Sequence, residues 1–225
     1  MTGVGLRDAI RDRGLTLVLL ALFALSLGGQ VLAGWLDFNA DALDHGDQRI
    51  GVAAYLTTGH FLEALFENWE SEFLQMAAFV MLTTVLYHRG SAESRRPHVV
   101  ELVDADPRRF ADEPGVPWPV RRGGLVLWLY ERSLGLTFAV LFAVSLAGHA
   151  LGGWREYVDH QVSHGHEAPA LVDYLTSARF WFESTQNWQS EFLSIAAMVW
   201  LTVYLRQRGS PESKPVHAPH DETGR

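Results

Sequence analysis

Two stretches of the chain repeat one phrase, Asn-Trp-(Glu/Gln)-Ser-Glu-Phe-Leu, at 68–74 and 187–193. At helical spacing Asn68, Glu72 and Gln75 share one face, and so do Asn187, Glu191 and Ser194. Each face carries a carboxylate into an apolar run, and an ionisable group in a membrane segment marks either function or a paired structural site. The preceding apolar runs carry polar groups of their own: Ser26 and Gln30 in one, Ser145 and His149 in the other. Gln30 and His149 lie ~8 Å along the helix from Trp35 and Trp154. If all four faces turn inward, Gln30, Glu72, His149 and Glu191 meet as a cation or proton site in the outer half of a bundle. The competing reading is structural: a first-turn Glu complements the helix dipole, Asn and Ser cap exposed N–H groups, and charge close to the Trp level costs little.

A second constellation is His160-xxx-His164-x-His166-Glu167, with Asp41, His45 and Asp47 aligned to it in the first half. Imidazoles and carboxylates at such spacing suit Zn or another divalent ion, although a solvated acidic loop has the same composition. His60 and His88 are single histidines with no evident role. His149 alone lies deep in an apolar run, which argues against bis-His haem ligation. The chain has no cysteine, so disulfides, thiolate metal sites and cysteine nucleophiles are excluded. A net charge of -8 argues against nucleic acid as a partner. No cofactor is expected; the expected partners are the lipid bilayer and a second copy or another membrane protein.

The elements that must position these groups are apolar helices. Leu15–Leu36 and Leu134–Trp154 carry no charge and are long enough for a ~30 Å hydrocarbon core. Phe73–Tyr87 and Phe192–Leu205 are shorter, but with the Asn-Trp phrase included they reach about 20 residues. Trp69 and Trp188 then join Trp35 and Trp154 as interface anchors. Four transmembrane helices are therefore expected, near 15–36, 69–88, 134–155 and 188–206. A secretory signal peptide is the rival for the first, since Arg7, Arg11 and Arg13 precede it. Its close copy in mid-chain argues against cleavage.

That copy belongs to a gapless duplication. Shifted by 119 residues, Gly34-Trp35 meets Gly153-Trp154, Tyr55-Leu56-Thr57 meets Tyr174-Leu175-Thr176, and Arg89-Gly90-Ser91 meets Arg208-Gly209-Ser210. About 35 of 82 aligned pairs are identical. The expected fold is thus an all-α membrane protein, a tandem two-helix repeat whose copies share one orientation. Gly29-xxx-Ala33 and Gly148-xxx-Gly152 are small-residue patterns expected to pack the first and third spans on each other. Fifteen of 18 basic residues lie before the first span, in the connection 89–132 or in the tail, which places both termini in the cytoplasm. The division is an N-terminal segment 1–14, repeat 1 at 15–88, a linker 89–133, repeat 2 at 134–206 and a tail 207–225; linker and tail read as disordered. Thr57-Thr58 and Thr176-Ser177 mark helix starts. Beyond them Phe61, Leu65, Trp69 and Phe73 recur every four residues with Glu63, Glu67 and Glu70 opposite, an amphipathic extension outside the membrane.

The two-span unit, its Asn-Trp-(Glu/Gln)-Ser-Glu-Phe-Leu phrase and the closing Arg-Gly-Ser-x-Glu-Ser resemble an uncharacterised bacterial membrane-protein family known as a domain of unknown function. The resemblance covers 13–94 and 132–213, and it implies no activity and no catalytic residue. Three functional classes stay open: a structural or accessory protein of the bacterial inner membrane, a small proton or cation transporter or channel, and a metal-binding protein or metalloenzyme.

Overall fold

The computed structural model describes residues 6–224, with side chains from Arg11 onward. Every regular element among them is helical. Helix α1 spans Leu6–Asp44, and after a loop come a single turn α2 (Val52–Tyr55) and α3 (Gly59–Leu82). Short helices α4 (Trp118–Arg122) and α5 (Gly124–Glu131) lead into α6 (Ser133–Ser163), α7 (Leu171–Leu175) and α8 (Ala178–Tyr204).

The outer connections are built alike in the two halves. Trp35 Nε1 donates to the Ile50 carbonyl at 2.8 Å, and Trp154 Nε1 to that of Pro169 at 3.0 Å, so each indole pins the returning loop to its own helix. Tyr55 and Tyr174 are buried with their hydroxyls against Gly34 and Gly153. Thr58 Oγ1 and Ser177 Oγ then accept from Phe61 N and Phe180 N, capping α3 and α8 as their sequence positions suggest.

Packing is uneven. Helix α3 runs antiparallel along α6, from Gly59 against Glu156 down to Val80 and Met81 against Gly135. Glycine sets this distance: a Cβ on Gly148 would lie 2.5 Å from the Phe66 ring, and one on Gly152 2.7 Å from the Glu63 nitrogen. Helix α8 lies along α3 more lightly, with Gln75 Nε2 donating to Ser194 Oγ and the Glu191 carbonyl, both at 2.8 Å. Helix α1 packs lightly, with Phe23 on Trp69 of α3 and Gly34 under Tyr55, and no residue of its apolar stretch 15–36 is buried.

Two helices, not the four expected, are long and apolar enough to cross a membrane: Arg11–Asp44 and Ser133–Ser163. The expected span 69–88 is cut short at its C-terminal end. Helix α3 stops at Leu82, where the chain turns, and its first half alternates apolar residues with Glu63, Glu67 and Glu70. The amphipathic extensions continue directly into the apolar parts, making α3 and α8 single helices.

At the opposite end, the Arg-Gly-Ser-x-Glu-Ser phrases are turns. Gly90 and Gly209 take φ of +86° and +87°, a region only glycine enters freely. Ser91 and Ser94 accept from Glu93 N and His88 N, as Ser210 and Ser213 do from Glu212 N and Gln207 N. The tail, expected from composition to be disordered, folds back on this end. Lys214 Nζ is buried and donates to the carbonyls of Pro219, His220 and Glu222, while Gly90 N donates to Thr223 Oγ1.

Candidate functional site

The densest group of buried ionisable side chains lies where α3, α6 and α8 meet. Its centre is His149, one turn below Gly153 on α6 and fully buried. His149 Nδ1 lies 2.7 Å from Glu70 Oε2, and the other Glu70 oxygen accepts from Trp188 Nε1 at 2.9 Å. With Nδ1 donating to Glu70, a neutral imidazole presents the lone pair of Nε2 on its far side. That Nε2 is buried and has no hydrogen-bond partner. Glu183 Oε2 is 3.7 Å from it, and ligand atoms of Glu63, His149 and Glu183 all lie within 4.8 Å of one another.

Glu63 and Glu183 are held by Arg179, whose Nε donates to Glu183 Oε1 at 2.7 Å and whose terminal nitrogen reaches Glu63 Oε1 at 3.2 Å. Tyr174 Oη donates to Glu183 Oε2 at 2.9 Å. Glu67 accepts from Gln186 and Asn187 across the α3–α8 contact. The pKa of Tyr174 is raised, first by burial and then by the carboxylates of Glu63 and Glu183. Four carboxylates thus face one guanidinium and one imidazole, and the cluster carries excess negative charge even when both are cationic.

Of the residues singled out from sequence, His149 is at this centre, Asn187 at its edge, and Gly148 and Gly152 beneath it. Glu72 is exposed and outside it. Glu191 contributes its backbone carbonyl to Gln75, not its carboxylate to the cluster. Asn68 is exposed and bonds the Ala64 carbonyl. Gln30 lies on α1, away from His149. Gly29 and Ala33 face open space. His160 and His164 stack at 4.4 Å on an outer cleft of about 1170 Å³, His166 bonds Gln161, and all three are exposed. Among the described residues, the ligand atoms that converge are those of Glu63, His149 and Glu183 instead. Trp188 holds Glu70 and Trp69 packs on Phe23 and Phe66, roles beyond interface anchoring.

The carboxylates Glu63, Glu70 and Glu183 were missed because the polar face of the extension reads as a solvent face. Comparison of the halves at an offset of 119 sets these residues apart: His149 aligns with Gln30, Glu70 with Gln189, Glu67 with Gln186, Glu63 with Phe182, Arg179 with His60 and Glu183 with Ala64. Every charged member of the cluster is a departure from the common pattern.

The chain belongs to a family described as "Domain of unknown function (DUF6766)", which matches residues 6–225 and so includes the linker and tail as well as the two-helix units. No curated protein and no solved structure matches it.

Proposed function

We propose that this chain is a multi-pass membrane protein that holds a divalent metal ion at its outer membrane boundary, ligated by His149, Glu63 and Glu183. The observation that carries the reading is the buried Nε2 of His149, without a partner and facing two carboxylates while Glu70 fixes the other ring nitrogen. A carboxylate behind a histidine is the usual support of a metal-bound imidazole. One nitrogen and carboxylate oxygens suit Zn, Mn or Fe. Bonds of ~2.1 Å require the ligand atoms to draw in by about 1 Å. Arg179 must then loosen its hold on Glu63, and the face of Tyr157, 5.9 Å from its guanidinium, stands ready to keep it.

The membrane setting is supported by the long apolar helices α1 and α6. Helix α3 lies along α6 from Gly135 to Gly152, so lipid around one surrounds the other, and α3 and α8 complete four crossings. The arginine distribution favours a bacterial inner membrane with both termini cytoplasmic. The recurring Trp–carbonyl, Tyr–Gly and cap contacts at an offset of 119 support a tandem duplicated unit.

Metal content of detergent-purified protein, stripped by chelator and reloaded, tests the site. About one divalent ion per chain is expected, lost in His149→Ala and in Glu63→Gln, and retained when His160, His164 and His166 are all changed to Ala. No bound ion after reloading, or an unchanged level in His149→Ala, overturns the reading. A second reading, a structural ion-pair network, is favoured by Arg179, which already bridges the same two carboxylates. It predicts protein that is equally stable with and without metal.

A further inference from the structure

The contact between α3 and α6 joins the second helix of one half to the first helix of the next. Applying the 119-residue offset once more moves α3 onto α8, and among the described residues no helix of the first type follows α8. The helix of that type whose apolar stretch has no buried residue is α1, and we propose that α1 of a second copy of this chain docks on α8, in the place that α6 occupies on α3.

The side chains match position by position. Phe66 packs on Gly148, and their counterparts are Thr185 and Gly29; Leu62 packs on Gly152, and theirs are Trp181 and Ala33. Within this chain nothing lies within 4 Å of a Cβ placed on Gly29, and Trp181 is 50% exposed. The buried pair His149–Glu70 becomes Gln30 and Gln189. Neither amide has a hydrogen bond among the described residues, although Gln30 sits in the middle of an apolar helix. Such a group in lipid demands a polar partner, and two primary amides satisfy each other as donor and acceptor. Lipid can cover the leucines of α1 but not its stripe of Ser26, Gly29, Gln30 and Ala33.

The contact is heterologous, since the α1 edge of one copy meets the α8 edge of another. Such contacts close into a ring where the rotation between copies closes on itself. On α3 and α8 the aligned residues Glu67–Gln186 and Gln75–Ser194 face each other in register, as neighbouring units of a ring would. The metal reading plays no part in this inference.

The absence of cysteine makes the test direct. Membranes co-expressing two differently tagged chains, one Gly29→Cys and the other Thr185→Cys, are treated with a mild oxidant. A mixed-tag disulfide dimer is expected, at least tenfold above that formed when Ala24→Cys, on the opposite face of α1, replaces Gly29→Cys. Should either variant fail to accumulate, Ala33→Cys with Trp181→Cys reports the same contact. Gln30→Leu is expected to lower the oligomer mass measured by light scattering in mild detergent. Three outcomes overturn the proposal: no mixed dimer from either pair, cross-linking confined to a single chain carrying both cysteines, or a wild-type monomer by light scattering that forms no cross-links in membranes.

Discussion

The seam between α3 and α6 and the bare surfaces of α1 and α8 align at an offset of 119 residues, yet they carry opposite chemistry. The seam is tight and charged: glycines bring the backbones together and His149 and Glu70 meet at full burial. Its aligned surfaces offer the same small residues at Gly29 and Ala33, but with amides in place of ions and with no neighbour. The difference shows how a repeated scaffold separates two tasks. Backbone-determined features, the caps and the Trp and Tyr anchors, are kept in both halves, while chemistry is added at one junction only. A charged pair suits a junction made within a chain, where its partners are assembled together. For the contact proposed between copies, a neutral amide pair would cost far less than an ion pair to leave waiting in lipid.

The sharpest way to break the comparison is to remove one side of each pair. Glu70→Ala strands His149 and the Trp188 indole in a buried site, and a loss of about 3–5 kcal/mol is expected. Gln189→Ala should change the stability of the single chain by no more than about 0.5 kcal/mol. Denaturation in detergent measures both, and equal losses would erase the distinction. Next is overpacking. Gly148→Leu drives a side chain into Phe66 and should destabilise by about 1–3 kcal/mol, whereas Gly29→Leu should leave the folded monomer intact and alter only its assembly. Caps sharpen the comparison from the other side: Thr58→Ala and Ser177→Ala should each cost about 1 kcal/mol, because that feature is common to the halves.

The smallest effect is on the pH dependence of metal binding. Ligation requires both carboxylates to be free of protons, so metal affinity should climb as pH rises. In Glu63→Gln that rise should shrink; an unchanged rise would move the proton elsewhere.

Much of the architecture was legible in the residues themselves. The caps at Thr58 and Ser177 and the long helices over 15–36 and 134–155 follow from local rules of spacing and shape, whereas Gly148 and Gly152, expected to pack the first and third apolar helices together, receive α3 instead. Those rules do not specify which helix partners which. Hence Glu72 and Glu191, conspicuous because both halves carry them, drew attention away from Glu63, Glu70 and Glu183. In a lone amphipathic helix a row of glutamates reads as the wet face. Only the close approach of α6, bringing an imidazole and leaving no room for water, turns that row inward. The ends of α3 were unreadable for a related reason: an apolar run continues through Thr83–Tyr87, but hydropathy does not record that the helix has already stopped at Leu82.

Lys214 is the single lysine of the chain, and its ammonium is enclosed by three carbonyls of the segment that follows it. Reagents that acylate lysine side chains will therefore find no exposed target on the native fold. Biotin esters or a fluorophore ester would stay idle at that position until the carboxy-terminal clasp springs open, and the rate of acylation at Lys214 becomes a clock for that opening.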